Sequence, residues 1–298
     1  VPRLVEIRHR IGVVRNIETV ARTMATVASA KLSKTHERAI GMRAYMERVR
    51  RMVAHQALAA GEDLASLTPY HRAEETGGAV LALVLSGDRG MCGGHNLAVS
   101  RLAADLAETC SAAGREVAFI AKGLKGARYL ERRENTNVLR SENWPKAGVT
   151  PTEVERLAAE LSAAFLDGGY SRIVCVYTRF ISTVRGEPTV ETLLPLPLEV
   201  GAADEPGADV RWCYEPERRE AIEALLDAYL TLQVEDVMLE SYASEQAARM
   251  ITMEEASERA RTALRELTVS ANRVRREAIT TDLIGVLYAA RMRHGAHA

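Results

Sequence analysis

The residues that invite a chemical reading lie in one short segment, Ser86-Gly87-Asp88-Arg89-Gly90-Met91-Cys92-Gly93-Gly94, between an apolar run and a helix-like stretch. This is where an α/β domain cradles phosphate, because glycines let backbone N–H groups approach an anion at the next helix's N-terminus. The spacing is not G-x-G-x-x-G, however, and G-x-x-x-x-G-K-[ST] occurs nowhere in the chain. A second candidate, Lys122-Gly123-Leu124-Lys125-Gly126, lacks the following Ser or Thr, and no acidic residue after it is placed for a ribose. The glycines therefore read as a tight turn that lets the following helix pack closely on a sheet. Cys92 with His95 three residues on is the pattern of a thiolate nucleophile at a helix N-terminus. That chemistry needs a third, orienting group, which the sequence does not supply, so Cys92 reads as a buried small residue. The seven histidines include no HExxH, and His294 and His297 fall in a basic tail, Arg291–Ala298. Cys92, Cys110, Cys175 and Cys213 form no CxxC, so neither a zinc site nor a disulfide framework is signalled. No catalytic residue, cofactor or metal is expected.

Composition narrows the function further. The 298 residues carry a formal net charge of -1, and aromatics are 5%. Neither a basic footprint nor base-stacking platforms are present, so no nucleic-acid partner is expected. There is no apolar run near the length of a membrane span and no secretory leader, which predicts a cytoplasmic protein with a place on a membrane complex left open. The charge is uneven. Residues 1–60 are net +8, 61–214 net -5, 215–260 net -8 and 261–298 net +4. Basic ends and an acidic penultimate stretch read either as solvated faces or as a basic rod that meets acidic protein or lipid.

Long elements must position these charges. Between Pro2 and Pro69 lies a stretch rich in helix formers. Leu4, Ile7, Ile11, Val14, Glu18, Ala21, Ala25, Ala28, Leu32, Thr35, Ala39, Met42, Met46, Val49 and Val53 repeat in an unbroken 3-4 spacing with one charge. That pattern is the seam of a left-handed coiled coil. Near the other end Ala243, Gln246, Met250, Met253, Ser257, Ala260, Leu264, Leu267, Ala271, Val274 and Ala278 repeat it. Helices over about 3–57 and 217–291 are predicted, the first about 80 Å long. They pair most simply as an antiparallel coiled coil.

The middle changes period. Ala79–Leu85, Glu116–Ile120 and Arg172–Tyr177 are continuous apolar runs, the mark of strands covered on both faces. Helix-like segments near Leu97–Ala112 and Pro151–Leu166 alternate with them. Thr150 before Pro151, with Glu153 three residues on, suggests a capped helix start. Thr189–Leu194 is an edge-strand candidate, limited by Pro195 and Pro197. The expected fold class is α/β: a long antiparallel coiled coil plus a small Rossmann-like domain. The divisions are 1–60 (helix), 75–198 (α/β domain), 199–214 (loop) and 215–298 (helix and basic tail).

Three segments then resemble one family. They are Glu6-Ile7-Arg8 through Val14-Arg15-Asn16-Ile17 to Thr23-Met24 and Val27–Leu32; Ser86–Asn96; and Ser244–Met250 followed by Met253, Ala256, Leu267-Thr268, Asn272, Arg275 and Ala278-Ile279-Thr280. In order and across the whole chain they resemble the gamma subunit of the rotary F-type ATP synthase. The resemblance implies a central rotor shaft with no chemistry of its own, coupling ion flow through the membrane sector to catalysis on the alpha/beta ring. It implies as partners the F1 alpha and beta subunits, the epsilon subunit and the membrane c-ring. It also implies a peripheral position on the cytoplasmic face of the cell membrane, with no direct membrane span. Residues carried over as the rotor bearing are Arg8, Arg10, Arg15, Met24, Lys31, Arg275 and Arg276. Those carried over as a coupling region are Asp88, Arg89, Glu245, Gln246 and Arg249. The chain departs from the family pattern at His95, Ala271, Arg276 and Gly285–Ala290, which keeps open a divergent complex working mainly as an ATP-driven ion pump. A small α/β enzyme with helical dimerisation arms and a coiled-coil adaptor are the readings from other classes.

Overall fold

The computed structural model describes residues 2–60, 70, 78–134, 136–196, 215 and 217–295. The expected loop 199–214 and the last tail residues, 296–298, lie outside them. The chain forms two compact units, one of residues 1–27 with 250–298 and one of residues 28–249. A helix α1, Pro2–Ala60, and the final helix α5, Arg218–Gly295, contribute to both.

In the terminal unit the two helices run antiparallel. Glu18 meets Arg261 at 3.2 Å, while Ala21 and Ala25, further along α1, cluster with Met253, earlier on α5. All fifteen positions of the N-terminal stripe and all eleven of the C-terminal one are buried or half-buried. The seam is thin because its centre is alanine: Ala21 and Ala25 are each under a tenth exposed. Glu18, the one charge in the N-terminal stripe, is also buried, and Arg261 and Arg22 hold its carboxylate.

The central unit is built on a five-stranded sheet in the order β3-β2-β1-β4-β5. The elements are β1 (Val80–Leu85), α2 (His95–Ala112), β2 (Val117–Lys122), α3 (Leu124–Leu130), β3 (Asn137–Glu142), α4 (Pro151–Leu166), β4 (Arg172–Ser182) and β5 (Arg185–Leu194). The first four strands are parallel, and β5 closes one edge antiparallel to β4, with Val176 opposite Val190. Alternate side chains explain the continuous apolar runs. Val80, Ala82, Val84, Phe119 and Val174 pack with Val99 and Ala103 of α2 on one face. Leu81, Leu83, Leu85, Ile120 and Cys175 pack with Leu157, Leu161 and Phe165 of α4 and with Leu230 and Val237 of α5 on the other. Both faces are covered, so both must be apolar.

Two local expectations change. Helix α4 starts where Thr150-Pro151 signalled, with Thr150 extended before it, but the Thr150 side chain makes no capping bond. Glu153 instead reaches across to Lys122 and Arg156, the stronger partners for a carboxylate. The edge strand begins at Arg185 rather than Thr189 and runs through Pro188, which an edge tolerates because one of its sides needs no N–H donor.

Candidate functional site: the glycine turn and the helix that fills it

In an open α/β sheet the ligand crevice lies beyond the carboxyl ends of the strands, where the chain order reverses. Here β1 leads toward β2 and β3 on one side, with β4 on the other, so the crevice falls after Leu85 and near Thr178. Helix α5 occupies it. The Ser241 hydroxyl donates to the Leu85 carbonyl at 3.3 Å, and Ser244 donates to the Thr178 carbonyl at 3.0 Å. The Gly87 N–H, which a phosphate would seek, donates to Asn96 Oδ1 at 2.7 Å. A methyl group on Gly87 would lie 2.7 Å from Glu245 Oε1, so glycine here lets the helix carboxylate approach.

Each residue of the turn is used in this closure. Asp88 accepts the Leu124 N–H at 3.2 Å and the Trp144 N–H at 3.0 Å, tying three loops together. The Trp144 indole donates to the Ser86 carbonyl at 2.6 Å and packs on the Tyr242 ring of α5, centroids 5.7 Å apart. Met91 and Gly93 adopt positive φ, 64° and 55°, the backbone of a sharp reversal. Gly123 is also at positive φ, and any side chain on it would strike the Ser86 carbonyl.

The electrostatics do not favour nucleophilic chemistry. Cys92 is 1% exposed, and burial, then the Glu245 charge, pushes its thiol up, away from the thiolate. Burial, then the Arg249 charge, lowers His95 to about 4, so its ring is neutral, and Nε2 has no hydrogen-bond partner among the described residues. Glu245 and Arg249 form a buried ion pair at 2.5 Å. Burial raises the Glu245 carboxyl, opposed by Arg249. Lys122, 2% exposed at the end of β2, is held by Glu142 at 3.3 Å and by Glu153. Among the described residues no group of three or more His, Cys, Asp or Glu side chains is arranged to hold a metal.

The structure gathers the coupling-region residues but not all in one state. Asp88 is half-buried and Arg89 exposed on the turn, while Glu245, Gln246 and Arg249 are buried on α5. Of the bearing residues, Arg8, Arg10, Arg15, Arg275 and Arg276 are exposed in the terminal unit. Arg10 pairs with Glu6 at 2.7 Å and lines a groove with Val14, Leu267 and Ser270. Met24 is half-buried against the alanine cluster. Lys31, in the central unit, is exposed, and its charge acts on Glu245. Sequence reasoning missed Trp144, whose role depends on a carbonyl 58 residues away. It also missed Tyr177 and Glu191, joined at 2.6 Å across the β4–β5 ladder.

A paired-helix element and an α/β domain whose crevice is filled by its own helix define a protein that acts through its surfaces. The ATP synthase family profile matches residues 3–291. The chain is 33% identical to the ATP synthase gamma chain of Chlorobaculum parvum, covering 95% of this chain and 96% of that one. It is 34% identical to that of Nitrosospira multiformis, covering 93% and 95%. Its fold is shared with a chain in the central stalk and c-ring structure of Tetrahymena thermophila mitochondrial ATP synthase, with a TM-score of 0.57 and 23% identity, covering 80% of this chain and 99% of that one. A chain in the Euglena gracilis OSCP/F1/c-ring structure gives 0.63 and 15%, covering 100% and 96%. The chain belongs to the ATP synthase gamma chain family. Its role is non-catalytic: it is a coupling, rotor-type subunit.

Proposed function

We propose that the chain is the central shaft of an F-type complex. The terminal unit turns inside a ring of alpha and beta subunits, and the central unit meets the epsilon subunit and the membrane c-ring. The whole is peripheral, at the cytoplasmic face of the cell membrane. On this reading residues 1–60 and 215–298 make the shaft, and 75–198 the domain it carries. The observation that carries the proposal is the surface of the terminal unit. Ile279, Leu283, Ile284, Val286, Leu287 and Tyr288 are all exposed on successive turns of α5, Leu287 by 68%. Contiguous exposed apolar side chains mark a surface meant to be covered by protein. Arg8, Arg15, Arg275 and Arg276 add a basic collar to the same unit. Each guanidinium offers several fixed donors to acidic or polar partner surfaces. Asp88, Arg89, Glu245, Gln246 and Arg249 are the proposed coupling region, where α5 is locked to the domain.

The test is reconstitution with the catalytic and membrane subunits. The double variant Arg8→Glu/Arg275→Glu is expected to lower complex yield or coupled ion transport while the isolated chain keeps its helix content. Unchanged yield and unchanged transport would contradict the collar's role. Failure of the unmodified chain to assemble with alpha and beta subunits would contradict the shaft itself.

A further inference from the structure

One half-buried acid, with one of its carboxyl oxygens fully buried, is used by nothing described so far. In α5 the run Glu235-Asp236-Val237-Met238-Leu239-Glu240 places Asp236 and Glu240 four residues apart, on one helix face, where like charges repel. That face meets the β4–β5 hairpin. From β4 come Tyr177 and Arg179, from β5 Glu191, and from α1 the charge of Arg43, which acts on Asp236. Glu235 lies next in sequence but is paired with Arg38.

The hydrogen-bond inventory does not balance while all the acids are ionised. Tyr177 is 2% exposed, and its one proton goes to Glu191 Oε2 at 2.6 Å. Arg179 sits 3.3 Å from the same oxygen and is 45% exposed. Oε2 of Glu240 is buried and has no hydrogen-bond partner among the described residues. Three carboxyls thus act on one another. Tyr177 and the Arg179 charge also favour an ionised Glu240, but more weakly than burial and the Asp236 charge oppose it, and Glu240 Oε2 is left without a donor of its own among the described residues. A buried carboxylate oxygen without a donor is costly. A proton removes the charge and turns the group into a donor toward its neighbours.

We propose that Glu240 is a proton-operated latch: a proton on its carboxyl joins α5 to the β4–β5 hairpin, and its release to solvent loosens the hairpin from the helix. Burial, then the Asp236 charge, pushes Glu240 from 4.5 up to about 7. Burial, then Glu191, also raises Asp236. Because the folded-state value is raised, the latch contributes fully below the ordinary range near 4.5 and is lost as pH rises through about 7. The proposal concerns the fold of the central unit and does not rest on the rotor reading.

The experiment uses the full chain labelled with ¹³C at glutamate carboxyls, beside Glu240→Gln to assign the signal. One carboxyl is expected to titrate near neutrality and to be missing from the variant. Amide exchange is followed in parallel, corrected for its intrinsic pH dependence. The opening equilibrium of Tyr177–Thr189 pairing is expected to rise about tenfold per pH unit between the two protonation ranges, then level off. Glu240→Gln should flatten this rise. Should that variant fail to fold, Asp236→Asn removes the like charge and is expected to shift the Glu240 titration downward. A Glu240 carboxyl titrating near 4.5, or a hairpin whose pH-dependent opening persists in Glu240→Gln, would overturn the latch.

Discussion

The two units bury side chains of very different size. The central unit hides Phe119, Phe165, Tyr177 and sixteen leucines and isoleucines in the clusters on its two sheet faces. The buried cluster of the terminal unit is Ala21, Ala25 and Met253, with Met24 and Ala256 against it. The central unit keeps its large core side chains inside, although Ile40, Leu139 and Val184 stay exposed on it. The other holds two helices close with little apolar area and leaves valines and isoleucines outside, such as Val13, Ile17, Val20 and Val269. Burial free energy follows apolar area, so the terminal unit gains less from its own packing than the sheet domain does.

That contrast can be broken at its strong end first. Phe119→Ala removes a ring that is fully buried beneath α2. It is expected to cost about 3–5 kcal/mol of stability in urea unfolding of the central unit, the usual range for an emptied aromatic site. A loss under about 1 kcal/mol would mean the sheet core is loosely packed, on the same scale.

The thin seam answers differently. Ala25→Leu adds bulk where two backbones come close, and overpacking of this kind costs about 1–3 kcal/mol. The expected effect is a separation of the paired helices in the terminal unit, seen as faster amide exchange there and none in the sheet. Slower exchange after the substitution would show a cavity instead of a close seam. The smallest effect belongs to Arg261→Gln. The guanidinium is 45% exposed, although Glu18 beneath it is mostly buried. Arg22 remains as a second partner at 3.7 Å. A change of at most about 1 kcal/mol is expected in thermal unfolding.

What was legible in the sequence follows the same division. The 3-4 stripe could be read position by position, because a helix repeats its burial every turn and Ala21, Ala25 and Ala28 fell on that period. The strands β1, β2 and β4 could be read because cover on both faces makes them continuous apolar runs. Strand β3, Asn-Val-Leu-Arg-Ser-Glu, was not legible, since it is a polar edge strand with alternate exposure. Helix α3 was hidden by Gly126, which looks like a turn but sits in the helix so that Ser86 can accept its N–H at 2.9 Å. The turn at Ser86–Gly94 was placed correctly between strand and helix. Its occupant was not visible: Glu245 lies far along the chain, and only the fold brings its carboxylate against Gly87. Asp88, carried over as a coupling residue, holds two backbone N–H groups, and no side-chain pattern announces such bonds.

Rotation itself is tested by fixing the shaft to its sleeve. Val27 is 52% exposed on α1. Val27→Cys, paired with a cysteine in a beta subunit of the assembled complex, allows a disulfide to be closed and reopened. ATP hydrolysis is measured before closure, after closure at near-complete yield, and after reduction. Turnover is expected to collapse when the disulfide closes and to return when it is reduced. Full turnover with the cross-link closed would contradict a chain that must rotate for the complex to work.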